Sequence, residues 1–128
     1  MPAEYSLLER NRIANNLFGG ADFEIRAYSN TISNTGTGGT EIDADGYSPI
    51  EITNNLTNFP LATTGTRTNA VAFSKTFTED AEIVSIGIFS SSGDFLARRV
   101  LDEPLEVAAG QQWRFPIGSI NFTPTNPS

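Results

Sequence analysis

The run Glu82-Ile83-Val84-Ser85-Ile86-Gly87-Ile88-Phe89 constrains the fold more than any other stretch of this sequence. Side chains alternate between the two faces of a strand, so Val84, Ile86 and Ile88 make one apolar face. Ile83 and Phe89 add apolar surface to the opposite face, which predicts a central strand covered on both sides. Ser90-Ser91-Ser92-Gly93-Asp94 supplies turn residues and leads into Phe95-Leu96-Ala97-Arg98-Arg99-Val100-Leu101, so the two runs are expected to form a hairpin.

Other segments share the period of two. Phe23, Ile25 and Ala27 alternate with Glu24, Arg26 and Tyr28, as in a half-buried strand. Tyr47 to Thr53 carries Pro49, which cannot donate to a ladder and predicts an edge or irregular strand. Arg67 to Phe77 is expected to be a strand with Val71 and Phe73 on one face. Leu105 and Val107 form a short strand ended by Ala109-Gly110, and Gln112 to Ile117 brings Trp113, Phe115 and Ile117 together. Residues 30–40 are a polar, Gly-rich loop in which Ile32 is the one large apolar residue.

One segment alone has helical spacing. Ser6-Leu7-Leu8-Glu9 fits a capping box, in which Ser6 accepts from the Glu9 amide and Glu9 reaches back. Leu7, Ala14 and Phe18 lie on one stripe flanked by Leu8 and Leu17, and Gly19-Gly20 offers a left-handed stop. The expected fold is mainly β, an antiparallel β-sandwich with one short N-terminal helix. Its 128 residues are read as one domain: helix at about 6–18, sandwich at about 22–119, C-terminal arm at 120–128. The expected core centres on Val84, Ile86, Ile88, Val71, Phe73, Phe115 and Trp113.

The chemistry open to the chain is narrow. With no histidine and no cysteine, Ser-His-Asp and Cys-His catalysis, disulfides and the usual zinc sites are excluded. A net charge of −7 repels phosphates. Arg98 and Arg99 fall on opposite strand faces and make no phosphate groove, so neither nucleic acid nor membrane is expected as a partner. Lys75, the single lysine, sits at a strand end with nothing to lower its pKa. Carboxylate-pair hydrolysis needs only acids, and Glu79, Asp80 and Glu82 cluster, as do Asp102 and Glu103. Both groups fall in expected turns, where acidic residues serve solubility and turn hydrogen bonds. Glu41, Asp43 and Asp45 followed by Gly46 match the opening of a calcium loop. The closing carboxylate would fall at Ile52, so a plain acidic turn is expected, with no cofactor, no metal and no catalytic residue. Met1-Pro2-Ala3-Glu4 carries no basic leader, and no run approaches the roughly 18 apolar residues of a spanning helix, so a soluble protein is expected.

The order of features has a counterpart. A capped helix ends in Leu17-Phe18, then come Thr40-Glu41 with Gly46-Tyr47, Ala70-Val71-Ala72-Phe73, Ile83 to Phe89, and Val107-Ala108-Ala109-Gly110-Gln111 before Phe115. This resembles a family of small bacteriophage proteins with a similar helix, a Gly-Gly-Tyr segment, a Phe-Gly-Ile-Tyr-Asp strand and a Val-x-Ala-Gly-Asp turn. Its members are labelled tail-fibre-like or virion structural. Here Ile86 stands in place of the family's aromatic residue, and Phe89-Ser90 in place of Tyr-Asp. The resemblance covers most of the chain, contains no catalytic motif, and implies a virion-associated β domain assembled in the host cytoplasm. Two placements follow: a capsid decoration (cement) protein on the major capsid protein, or a tail-fibre or tail-tip receptor-binding component. A fibre tip normally follows a shaft of repeats or heptads, which this sequence lacks, so the decoration role is favoured. A carboxylate-based glycan-binding or hydrolysing module is the third reading. As a homo-oligomer on a shell, the chain is expected to dock through its N-terminal segment, the 30–46 loop and the C-terminal arm. The anchors would be Ile32, Ile42, Ile120, Phe122, Pro124 and Pro127.

Overall fold

The computed structural model describes residues 6–124. Helix α1 (Leu7–Asn15) is followed by a 3-10 turn (Leu17–Gly20) and eight strands. These are β1 (Phe23–Tyr28), β2 (Ile50–Ile52), β3 (Arg67–Thr68), β4 (Phe73–Thr76), β5 (Ala81–Ser90), β6 (Phe95–Val107), β7 (Gln112–Phe115) and β8 (Asn121–Phe122). The protein is mainly β and antiparallel, with one short N-terminal helix, as its alternating segments predict. Its residues fall into two compact units that share the chain: 22–53 with 73–114, and the described parts of 1–21, 54–72 and 115–128.

The larger unit is built on a four-stranded sheet in the order β2-β1-β5-β6, beside a two-stranded sheet of β4 and β7. β5 is central, paired with β1 (Ile25 opposite Ile88) and with β6 (Ile88 opposite Ala97). Of the run Tyr47–Thr53 only Ile50–Ile52, after Pro49, forms a strand, and this β2 lies at one edge, as expected of a run carrying that proline. Both faces of β5 are covered, but the deeper one carries Ile83 and Ser85, each fully buried. Val84 is only half-buried, as are Val71, Phe73 and Phe115, whereas Ile86, Ile88 and Trp113 are core residues. Phe77, Ile25, Ile32 and Ile52, all closed to solvent, complete this core in their stead. The Arg67–Phe77 run breaks into β3 and β4, and β7 stops before Pro116, leaving Ile117 67% exposed rather than packed with Trp113.

β6 runs on through the predicted gap before Leu105. Between the pairs Ser85–Val100 and Ile83–Leu105 its residues 101–104 (Leu-Asp-Glu-Pro) bulge opposite Val84. Pro104 has no N–H to give a ladder, which is the local reason for the irregularity.

In the smaller unit Ser6 caps α1, its Oγ accepting from the Glu9 amide at 3.1 Å, while the Glu9 carboxylate pairs with Arg12 at 3.0 Å. The helix stops at Asn15, short of the expected end near 18, with Asn16 as its C-cap; positive φ at Phe18, Gly19 and Gly20 then ends the 3-10 turn, a conformation that the two glycines admit without strain. The expected apolar stripe is only partly used: Ala14 and Leu17 are buried, but Leu7 and Leu8 are 48% and 72% exposed. Two buried polar residues do much of the stapling. The Arg67 guanidinium donates to Phe59 O (2.8 and 3.1 Å) and to Asn15 O at the helix end (2.9 Å). Asn69 Nδ2 donates to Val71 O (2.8 Å) and Pro116 O (3.0 Å), and its Oδ1 accepts from the Ile120 amide (2.9 Å).

Candidate functional site

The 30–46 segment is one of the three segments expected to dock outward, but its two anchors Ile32 and Ile42 are turned into the chain itself. Ile32 is fully buried against Tyr28, Phe89 and Phe95. Its amide donates to Ser85 Oγ (3.1 Å), that hydroxyl donates to Asn30 O (2.6 Å), and Arg98 Nη1 donates to Ile32 O (2.7 Å). A lone apolar residue in a polar loop is thus a plug for its own sheet, its backbone satisfied by groups more than fifty residues away. Gly36 has φ +82°, and a Cβ there would lie 2.6 Å from the Phe95 ring, so the loop can lie on Phe95 only with glycine at this position. Ser33, Thr35 and Thr37 hydrogen-bond one another through their hydroxyls at 2.9–3.2 Å.

The acidic stretch is also turned inward at its key points. Ile42 is buried, its amide donating to Ala27 O at 2.9 Å. The Tyr47 hydroxyl donates to Glu41 and accepts from the Ala27 amide at 3.0 Å. Asp43 and Asp45 stay on the surface. Among the described residues, no three acidic side chains come together where they could hold a metal ion, so Glu41, Asp43 and Asp45 do not assemble the calcium loop that their spacing resembles.

Tyr47 carries a testable consequence. Burial first, then the hydrogen bond to Glu41, pushes its pKa far above the ordinary phenol value. The fold therefore holds the neutral phenol. Its stabilising contribution is complete below about pH 10 and is lost as pH rises toward the raised value. Alkaline titration followed at the phenolate absorbance band is expected to release Tyr47 only together with unfolding, and Tyr47→Phe is expected to abolish that step. Ionisation of Tyr47 in the ordinary range with the near-ultraviolet circular dichroism intact would contradict this.

The other acids that the sequence singles out are divided among a turn, an open depression and a bulge. Asp80 Oδ1 accepts from the Ala109 amide (2.8 Å) and so fixes a turn. Glu82 stands opposite Glu106 in the β5–β6 ladder, on an open depression that Asp80 and Gln111 also line. Asp102 and Glu103 lie in the β6 bulge, both exposed.

Of the anchors expected at the C-terminal end, Ile120 is turned inward and Phe122 partly so. Ile120 is buried, and β8 pairs with β3, Arg67 opposite Phe122. Phe122 is half-buried, its ring 5.2 Å from that of Phe18 and 5.9 Å from that of Phe59. Pro124 is half-buried and Pro127 lies outside the described residues. The arm therefore begins as a strand of its own unit.

What remains open to a partner is the outer side of β6. It is the second edge of the four-stranded sheet, thirteen residues long, with Arg98, Arg99, Val100 and residues 102–106 exposed. Sequence reasoning missed it because the run appeared as two short strands separated by Asp102-Glu103-Pro104. The adjacent charges of both signs were the signal available. No helix among the described residues is long and apolar enough to cross a membrane. No protein-family model matches the sequence, and no curated protein matches it.

Proposed function

We propose that this chain is a non-enzymatic structural protein of a bacteriophage particle, a capsid decoration protein that binds the major capsid protein across neighbouring subunits. The observation that carries the reading is where its polar groups are used. Glu41, Asp80, Ser33, Thr35 and Thr37 are engaged in internal hydrogen bonds, whereas the long backbone edge of β6 is open to solvent. Such a molecule acts through surfaces and strand edges. The resemblance of its ordered motifs to small virion proteins supplies the particle. The charge of −7 favours a place outside the shell, away from packaged nucleic acid.

The test is subunit-resolution imaging of purified particles together with quantitation of the protein. A copy number comparable with that of the major capsid protein supports the decoration role. A handful of copies per particle would move the protein to the tail, and its absence from particles would end the reading. Deletion of residues 121–128 is no clean attachment test, because it removes β8 and the Phe122 packing. That truncation is expected to lower stability whether or not it weakens attachment.

A further inference from the structure

We propose that helix α1 is a releasable strap: it lifts from the 62–67 segment as one unit, hinged at Asn16, while the rest of the smaller unit and the β5 sheet stay folded. This goes beyond the decoration reading and does not depend on it.

The first ground is how thinly the helix is held. A surface helix owes its stability to the apolar face it buries, and nine residues are too few to be stable alone. Within α1 only Ala14 is buried, while Leu7, Leu8 and Ile13 are exposed, so release uncovers little apolar surface of the helix itself. What it lies on is small as well: Gly65 beside Leu7 and Arg10, and Ala62 beside Asn15. The grip is polar instead. Asn11 Oδ1 accepts from the Gly65 amide (2.7 Å), Asn15 Oδ1 from the Ala62 amide (2.6 Å), and Asn15 O from Arg67 Nη1 (2.9 Å). Each of these bonds is exchanged for one to water when the helix lifts, so its net hold is small. Arg10 Nε is closed to solvent with no hydrogen-bond partner, a cost that release removes.

The second ground is that the strap has a defined end and leaves behind a framework with its own pins. Asn16 is exposed and already outside helical geometry (φ −92°, ψ 36°). Directly beyond it Leu17 is buried, and Asn54 Nδ2 donates to Leu17 O and Ala21 O, both at 3.0 Å. The hinge therefore falls between a weakly held helix and an anchored 3-10 turn. Without α1 the Arg67 guanidinium keeps its two bonds to Phe59 O, and the 116–120 turn keeps Asn69. Release frees three donors together, the Ala62 and Gly65 amides and Arg67 Nη1, which makes those two amides reporters of the strap.

The experiment is native-state amide hydrogen exchange on the intact protein. The amides of residues 12–16, with those of Ala62 and Gly65, are expected to share one protection factor. It should lie roughly a hundredfold or more below those of Ile88 in β5 and of Ile120, whose amide Asn69 holds. Low denaturant is expected to speed exchange at Ile88 and barely change the strap, because release exposes little surface. Asn11→Ala and Asn15→Ala are each expected to speed exchange across residues 12–16 roughly three- to tenfold and to leave Ile88 and Ile120 unchanged. Alanine favours the helix more than asparagine does, so that loosening can come only from the lost pin. Strap amides as protected as Ile88, with the same denaturant slope, overturn the proposal. So does exchange at Ala62 and Gly65 unlinked from the helix. Asparagine variants that change nothing, or that speed Ile88 and Ile120 as much as the helix, overturn it as well.

Discussion

Asn69→Ala is expected to cost about 3 kcal/mol of stability, the sum of orphaning three backbone groups at roughly 1 kcal/mol or more each. Asn69 is 1% exposed, and its amide nitrogen feeds Val71 O and Pro116 O while its oxygen receives the Ile120 amide. The residue's own backbone bonds Ile120 O (3.3 Å) and receives Gly118 N (3.0 Å), so one asparagine ties the 116–120 turn to the chain beside β3. Two carbonyls at one end and an N–H at the other also fix which way the amide points. Asn69→Asp sharpens the prediction. Its second oxygen would face the two carbonyls and could bond one of them only when protonated, which raises the carboxyl pKa in the folded state. The variant's stability is then complete below about pH 4, the unfolded value, and declines as pH rises through the raised folded value. Denaturant unfolding at several pH values measures both effects. A loss below about 0.5 kcal/mol for the alanine variant, or a flat pH profile for the aspartate, would show that this network is not stabilising.

Phe77→Ala is expected to cost about 3–5 kcal/mol, in the range of large aromatic truncations in closed cores. Phe77 is fully buried and stands edge-on to Tyr47 (5.9 Å) and Trp113 (6.2 Å). Its backbone is held at the same time, its N–H by Gln111 O (3.0 Å) and its carbonyl by Gly110 N (2.7 Å). The backbone pins leave little freedom for collapse, so the cavity persists and its cost is high. Trp113, the single tryptophan, reports directly: its emission is expected to move to the red in the folded variant. Phe73→Ala, at a half-buried position, is expected to cost clearly less. An equal or reversed order would mean that the core centres on the start of β4 and not on Phe77.

That contrast shows how far local pattern reaches. Phe77 precedes Thr78-Glu79-Asp80 and so has the appearance of a strand end running into solvent, whereas Phe73 alternates with Val71 as a core residue should. Phe77 owes its burial to Gln111 and Trp113, more than thirty residues on, which close over it. The β6 edge was hidden for a related reason. Asp102-Glu103-Pro104 has turn composition, and only pairing with β5 on either side of it makes 95–107 a single strand.

The sequence by itself determined the elements whose information is local. Ser6 with Glu9 sets the helix start, Gly19-Gly20 the end of the 3-10 turn beyond it, Pro49 the position of an edge strand, and alternation the strands β1 and β5. Hydrogen-bond chemistry and the period of side chains act over a few residues, so a reader of the sequence has all the terms. Tertiary structure alone decided which polar segments belong to the core. Ile32, Ile42, Ile120 and Phe122 have the pattern of isolated anchors for a partner, yet Ser85, Ala27, Asn69 and Phe59 receive them or their backbone within the chain itself. The division into two units, each gathered from separate stretches, was equally invisible, because no change in composition marks residues 53, 72 or 114. Such contacts depend on register and on chain reversals far apart in sequence, where no local period carries the information.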